Sequence, residues 1–348
     1  MNNDTLQRIR MLVELFLSYG RRASRVLARY CLLFLLALSP CAIAWADVAL
    51  YVSPLGDDKN DGSSGPKAVA TLQAALKLAE PMLKSVGTIN IIVLGGRYLE
   101  QRFQTTGNVN QAPIVIVPSG TSSVIFDGNG KGGTWMTLTK QGKGGIPSNI
   151  TMANFEVTNY ETAIDATADR NDKKAWIGGM TIHNMTFSYI GDIANANATE
   201  ASTAVIRLVN SQGNQIIRSR FENIRNRTDC PILHAVYLAH YSVDNLIENT
   251  YFSNICGDAV RFRDESGPNT VKLNTFKDSW SQSPTSDWFC DKTTRTDCTK
   301  TSGECPSIGN KLTSNTMETA GTAPLPPLFI GYFTPPASCP AGPRAIIQ

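Results

Sequence analysis

Asn214-Gln-Ile-Ile-Arg-Ser-Arg-Phe221, Asn245-Leu-Ile-Glu-Asn-Thr-Tyr-Phe252 and Asn269-Thr-Val-Lys-Leu-Asn-Thr-Phe276 are three versions of one phrase, each with Asn seven positions ahead of Phe. Two looser copies precede them, Asn149-Ile-Thr-Met-Ala-Asn-Phe155 and Ile182-His-Asn-Met-Thr-Phe187, and a weaker one ends at Met317. The phenylalanines are spaced by 32, 34, 31 and 24 residues. Short alternating runs of this kind read as strands, and strands so short cannot bury an apolar face alone. Stacked coil on coil, each strand gains a partner above and below, and inward Ile, Val and Phe form one continuous core. Asn suits matched turns because it tolerates left-handed backbone and can hydrogen-bond along a stack of equivalent positions. An ordinary β-sandwich leaves the fixed Asn-to-Phe offset unexplained. The repeat predicts an all-β solenoid whose bare coil is the 24-residue step, with insertions in the turns of longer coils.

Ahead of the repeat, the sequence predicts a strand at 49–52, a turn-rich loop from Ser53 to Gly62 and a short amphipathic helix over Thr71–Ala79. Leu72, Leu76 and Ala79 share one side of that helix, and Thr71 is placed as its N-cap. Three apolar strands follow at 89–94, 114–117 and 124–126, each ended by Gly, Pro or Asp-Gly. The loop is not an EF-hand: counted from Asp57, the third ligand position is Lys59 and the twelfth is Ala68. Four segments are expected: 1–46, a leader; 47–130, the cap and first coils; 131–318, the solenoid; and 319–348, a proline-bearing tail packed over its C-terminal end.

The first segment reads as a secretory signal. Six arginines precede an apolar run from Cys31 to Trp45, and Ala44-Trp45-Ala46 supplies small residues for cleavage. The run contains Pro40 and falls short of the ~20 residues of a spanning helix. Without those six Arg and the two acids Asp4 and Glu14, the chain has 32−6 = 26 basic and 29−2 = 27 acidic residues. Its formal charge moves from +3 to about −1, which removes the basis for a nucleic-acid partner. The expected product is secreted or periplasmic, monomeric and free of the membrane after cleavage. Its remaining cysteines, Cys230, Cys256, Cys290, Cys298, Cys305 and Cys339, are even in number and read as disulfides in an exported chain.

The densest polar constellation spans two successive coils, His234-Ala-Val-Tyr237-Leu-Ala-His240-Tyr241 and, 24 residues later, Asp258-Ala-Val-Arg261-Phe-Arg263-Asp264-Glu265. In that register His234 stacks with Asp258, Tyr237 with Arg261 and Tyr241 with Glu265. Strand alternation turns Val236, Leu238, Val260 and Phe262 inward, and Tyr237, Tyr241, Arg261 and Arg263 outward. Arg207 extends the row in the preceding coil. Cys230 and Cys256 lie nearly one coil apart, so they can staple the two coils. An outward face of Arg and Tyr suits an acidic sugar chain, since Arg pairs bidentately with carboxylates and Tyr stacks on pyranose rings. Such a face can also be plain structure: His234 as a hydrogen-bonded interior histidine, Arg263 as a ladder ion pair with Glu265 or Asp258.

The opening Tyr51-Val-Ser-Pro-Leu-Gly-Asp-Asp58, Ala70-Thr-Leu-Gln-Ala-Ala75, Gly95-Gly-Arg-Tyr98 and Ile125-Phe-Asp-Gly128 resemble the entry to pectate-lyase-like right-handed parallel β-helix proteins. The resemblance covers about Val48 to Glu318 and implies that the short helix caps the solenoid. Tyr241-Ser-Val-Asp-Asn245 and Phe262-Arg263-Asp-Glu265 are similar in place to the catalytic turn and strand of alginate and chondroitin lyases of that fold. Tyr241 stands where those enzymes carry a Lys base, and Asp264 follows the Arg. His234 and Val236 replace two upstream acids that would hold calcium, so no cofactor is assigned, although the resemblance leaves room for that ion.

The chemistry this implies is β-elimination on a uronate-containing polysaccharide, with Arg263, Tyr241 and His240 as catalytic candidates and Tyr237, Arg261, Arg207 and Glu265 as substrate-binding ones. Glycoside hydrolysis by carboxylates among Asp258, Asp264 and Glu265 is the alternative enzymatic reading, and glycan binding without turnover the third.

Overall fold

The computed structural model describes residues 46–106, 111–139, 144–278, 283–292, 295–298, 303–318, 327–330 and 335–348. The expected leader lies outside the described residues except for Ala46. Every strand pairing among the named strands is parallel, and the strands sort into three long sheets of ten, eight and eight strands plus a small three-stranded one. Neighbours in each long sheet are separated in sequence by a whole coil, so the chain is the predicted parallel β-helix.

The repeat explains the packing. Phe187, Phe221, Phe252 and Phe276 stand in register on one eight-stranded sheet, with successive ring centroids 4.9, 5.0 and 5.1 Å apart. The asparagines form a second file. Asn214 donates through Nδ2 to Asn245 Oδ1 at 2.8 Å, Asn245 to Asn269 at 2.9 Å and Asn269 to Asn310 at 3.1 Å. Each Oδ1 also accepts the main-chain N–H of the Asn one coil earlier. All four asparagines are buried, and these bonds satisfy turn groups that water cannot reach.

The capping helix spans Leu72–Ala79 and buries Leu72, Ala75, Leu76 and Ala79 against the first coil. Thr71 caps it by accepting from Ala74 N–H at 3.1 Å. The acidic loop serves this cap rather than a metal: Asp58 accepts from Ala70 N–H at 2.8 Å, Thr71 N–H at 2.9 Å and the Thr71 hydroxyl at 2.9 Å. At the other end, the tail expected only to lie over the solenoid adds strands to it. Phe329–Ile330 pairs with Thr285–Trp288, and Ala345–Ile347 pairs with Asn310–Thr313. The reason is local: the prolines leave two short Pro-free runs that can complete a rung, and Cys339 is bound to Cys305. No helix among the described residues is long and apolar enough to cross a membrane.

Candidate active site

The second eight-stranded sheet carries the polar constellation on its outer face. Ala204–Val209, His234–Ala239, Val260–Arg263 and Thr285–Trp288 are consecutive rungs. Val236, Leu238, Val260 and Phe262 are fully buried, as alternation predicts, while Tyr237, Arg261 and Arg263 are half-buried and face out. Two columns result from the register. Asp165, Arg207, Tyr237, Arg261 and Ser286 align in one, and Arg263 and Trp288 in the other. Rungs are ~4.8 Å apart, so from Ala204–Val209 to Thr285–Trp288 this face presents a positive or aromatic group at each step.

A cleft of about 600 Å³ lies over these columns. Pro231 and Ile232 form one wall and follow Cys230, which is bonded to Cys256 as the coil spacing suggested. Arg295, on the segment closed by the Cys290–Cys298 disulfide, forms the other beside Trp288, the last residue of its strand. Among the described residues five arginines line the cleft (Arg170, Arg207, Arg261, Arg263 and Arg295), and none of the lining is Asp or Glu.

Carboxylates outside the lining aim three of these arginines. Arg207 pairs side-on with Asp165 and Arg261 with Asp258, through Nε and Nη2 in each case. Arg263 donates from Nε and Nη2 to Glu304 at 2.8 and 2.6 Å, and from Nη1 to Tyr237 Oη at 2.9 Å. Burial alone lowers the Arg263 pKa, but the Glu304 hydrogen bonds and charge outweigh it and hold the group above its ordinary value. Hydrogen bonding to Asp165 likewise raises that of Arg207. Side-on pairing occupies Nε and Nη2, and guanidinium carries five N–H donors, so each fork keeps donors for an anionic ligand.

Two histidines at opposite ends of His234–Ala239 also line the cleft. His240 is buried, and its Nδ1 lies 2.8 Å from Asp264 Oδ2. The other Asp264 oxygen accepts from Cys305 N–H at 3.0 Å. A carboxylate so placed accepts from Nδ1–H, which leaves the lone pair of a neutral imidazole on Nε2. His234 is buried with Nδ1 unpartnered, 3.9 Å from Asp258 Oδ2. Burial, followed by the nearby Arg261 charge, pushes its pKa down to about 3, so it is neutral near pH 7. It is thus a buried residue of the cleft lining, its ring centroid 5.4 Å from that of Tyr237, rather than one turned into the core with Val236.

Among the described residues, His240, Asp264 and Glu304 are the group whose ligand atoms approach within 4.8 Å of one another. They do not fit calcium, which takes six to eight oxygen ligands. One of the three is an imidazole, and the carboxylates already accept from His240, Arg263 and the N–H groups of Cys290 and Cys305.

Of the sequence-predicted residues, the cleft brings together Arg207, Tyr237, His240, Arg261 and Arg263. Tyr241 and Glu265 are not among its lining. Both lie just past the strand ends with φ of 68° and 57°, each after another left-handed residue, His240 or Asp264. Two such residues in succession break the alternation that would have turned these side chains outward, and Tyr241 instead sits beneath Lys173. The carboxylate partner of Arg263 is Glu304, rather than Glu265 or Asp258. Sequence reasoning missed Glu304, Arg170 and Arg295. The cysteines at 290, 298 and 305 marked disulfides in this stretch, but nothing in the residue pattern singled out Glu304.

No protein-family model matches the chain, and a search of curated proteins finds no significant match. Solved structures do. An alginate lyase from Paenibacillus sp. str. FPU-7 aligns with a TM-score of 0.50 at 10% identity over 82% of this chain and 98% of that one. The pectate lyase Pel9A aligns at 0.48 and 12% identity over 80% of this chain, which spans 63% of that enzyme's length. A rhamnogalacturonan lyase aligns at 0.40 and 12% identity over 86% of this chain and 66% of that one. The chain has the right-handed parallel β-helix fold of pectate-lyase-like proteins. A protein described as a glycoside hydrolase also aligns, at a TM-score of 0.37 and 9% identity over 81% of this chain and 96% of that one.

Proposed function

We propose that the cleft binds an acidic, uronate-containing polysaccharide and cleaves it by β-elimination. The observation that carries this reading is a cleft lined, among the described residues, by five arginines and no carboxylate. It favours an anionic glycan, and it disfavours hydrolysis, which needs two carboxyl groups facing the scissile bond. The nearby acids Asp258 and Asp264 are buried and already paired.

In this mechanism Arg263, with Arg207 and Arg261, neutralises the uronate carboxylate, which acidifies the proton on C5. His240 Nε2 takes that proton, the electron pair forms the C4–C5 double bond, and the C4–O bond breaks. Tyr237 gives its hydroxyl proton to the leaving oxygen; because its oxygen accepts from Arg263 Nη1, the O–H is free to point into the cleft. Return of the proton from His240 to Tyr237 through water resets the site. Three disulfides and a signal-like leader support a protein working outside the cytoplasm.

The test incubates the protein with alginate, pectate and glycosaminoglycans while following the absorbance of a new unsaturated uronate. His240→Gln and Tyr237→Phe should each lower the rate about a hundred- to ten-thousandfold, the range of a lost acid or base. Activity surviving Arg263→Ala and His240→Gln together would refute the assignment. Reducing ends without unsaturation would mean hydrolysis, and binding without product a glycan-binding protein.

A further inference from the structure

Glu304 does not line the cleft, yet it touches what does. Its side chain is fully buried, and both its oxygens accept from Arg263, a residue 41 positions earlier. Oε2 also accepts from Cys290 N–H at 2.6 Å, which ties the start of the wall segment to the same carboxylate. Cys305, the next residue, is bonded to Cys339 and gives its own N–H to Asp264, the partner of His240. Two parallel hydrogen bonds fix the plane of a guanidinium as well as its position. The third bond of that guanidinium, from Nη1, then fixes where the Tyr237 oxygen sits. A buried carboxylate is costly unless paired this fully, and removing it would leave the Arg263 charge unpaired.

Resting on the catalytic reading of Arg263 above, we propose that Glu304 is the positioning residue of the cleft. It sets the plane of Arg263, and through Arg263 the Tyr237 hydroxyl, from a segment held by the Cys290–Cys298 and Cys305–Cys339 disulfides. The proton-transfer pair His240–Asp264 and the carboxylate-binding arginine are therefore oriented by one short stretch of chain.

The experiment uses the full chain and two readouts. Phenylglyoxal modification, mapped arginine by arginine by mass spectrometry, reports how firmly each guanidinium is held. Steady-state kinetics on the uronate polymer that the wild type cleaves reports the chemistry. In Glu304→Gln, Arg263 should be modified at least about fivefold faster while Arg207 is unchanged. The value of kcat should fall about tenfold or more with KM within about twofold, as when a charge-stabilising donor is misplaced. Glu304→Gln combined with Arg263→Ala should be no slower than Arg263→Ala alone, because the two residues act as a unit. Glu304→Asp keeps the buried charge while shortening its reach, so it serves if the neutral variant fails to fold; it should show the same pattern to a smaller degree. Unchanged Arg263 reactivity in both variants, or losses that multiply in the double variant, would overturn the proposal. A wild type that cleaves no uronate polymer would instead count against the catalytic reading, and the modification rates would still decide the role of Glu304.

Discussion

Replacing Asn245 by Ala should cut the asparagine file in the middle. Asn245 is buried, and its side chain makes four hydrogen bonds. Oδ1 accepts from Asn214 N–H at 3.0 Å and from Asn214 Nδ2 at 2.8 Å, while Nδ2 donates to Ser211 O at 3.0 Å and Asn269 Oδ1 at 2.9 Å. Asn214 Nδ2 keeps a bond to Ser211 Oγ, but its main-chain N–H loses the acceptor and has no water to replace it. Asn245 lies outside the left-handed region that Asp244 occupies, so Ala meets no backbone penalty. At about 1 kcal/mol per bond and 1–3 kcal/mol for an orphaned buried donor, the loss should be roughly 3–5 kcal/mol. A solenoid's stability is close to a sum of nearest-neighbour terms, so the damage should also be local. Hydrogen exchange under native conditions should show protection lost in the coils carrying Asn214, Asn245 and Asn269, with the capping helix unaffected. Urea unfolding should give the total. A cost below about 1 kcal/mol, or protection lost evenly along the chain, would refute the view that the file holds the turns.

Three further outcomes are expected. Phe221→Ala removes a fully buried ring stacked at 4.9 and 5.0 Å on its neighbours; denaturant unfolding should show a loss of about 3–5 kcal/mol. His234 is held neutral in the fold, its pKa near 3 against 6.5 normally. Its contribution is therefore complete above pH 6.5 and is lost as pH falls toward 3, because the unfolded chain takes up the proton first; His234→Gln should flatten that decline, worth on the order of a few kcal/mol, in unfolding curves measured across the window. Asp58→Ala strips three acceptor contacts from the start of the capping helix, and exchange at Ala70 and Thr71 should rise for a cost of about 1–2 kcal/mol.

The solenoid was legible because its signals repeat. A single Asn or Phe says little, but Asn214, Asn245 and Asn269 at constant offset from Phe221, Phe252 and Phe276 fix turn and strand together. The same register predicted the Tyr237–Arg261 pairing and the Cys230–Cys256 bond. Alternation stopped being informative where the strands stop. His240, Tyr241, Asp264 and Glu265 all take positive φ, so counting by twos past Ala239 and past Arg263 no longer gives the direction of Tyr241 and Glu265. Glu304 was beyond reach for another reason: its contact with Arg263 bridges 41 residues, and no copy of the repeat sets the register of the stretch between Trp288 and Glu304.

The asparagine file has a consequence for how such a protein can diversify. Asn269 follows Asn245 by 24 residues and Asn310 follows Asn269 by 41, yet the main-chain bonds joining them are 3.0 and 2.9 Å. A coil can thus take in 17 additional residues, the difference 41−24, without the scaffold noticing. Those residues fall in the stretch that brings Trp288, Arg295 and Glu304 to the cleft. Selection can therefore rewrite one coil's excursion, and with it the ligand the groove admits, while every other rung is inherited unchanged.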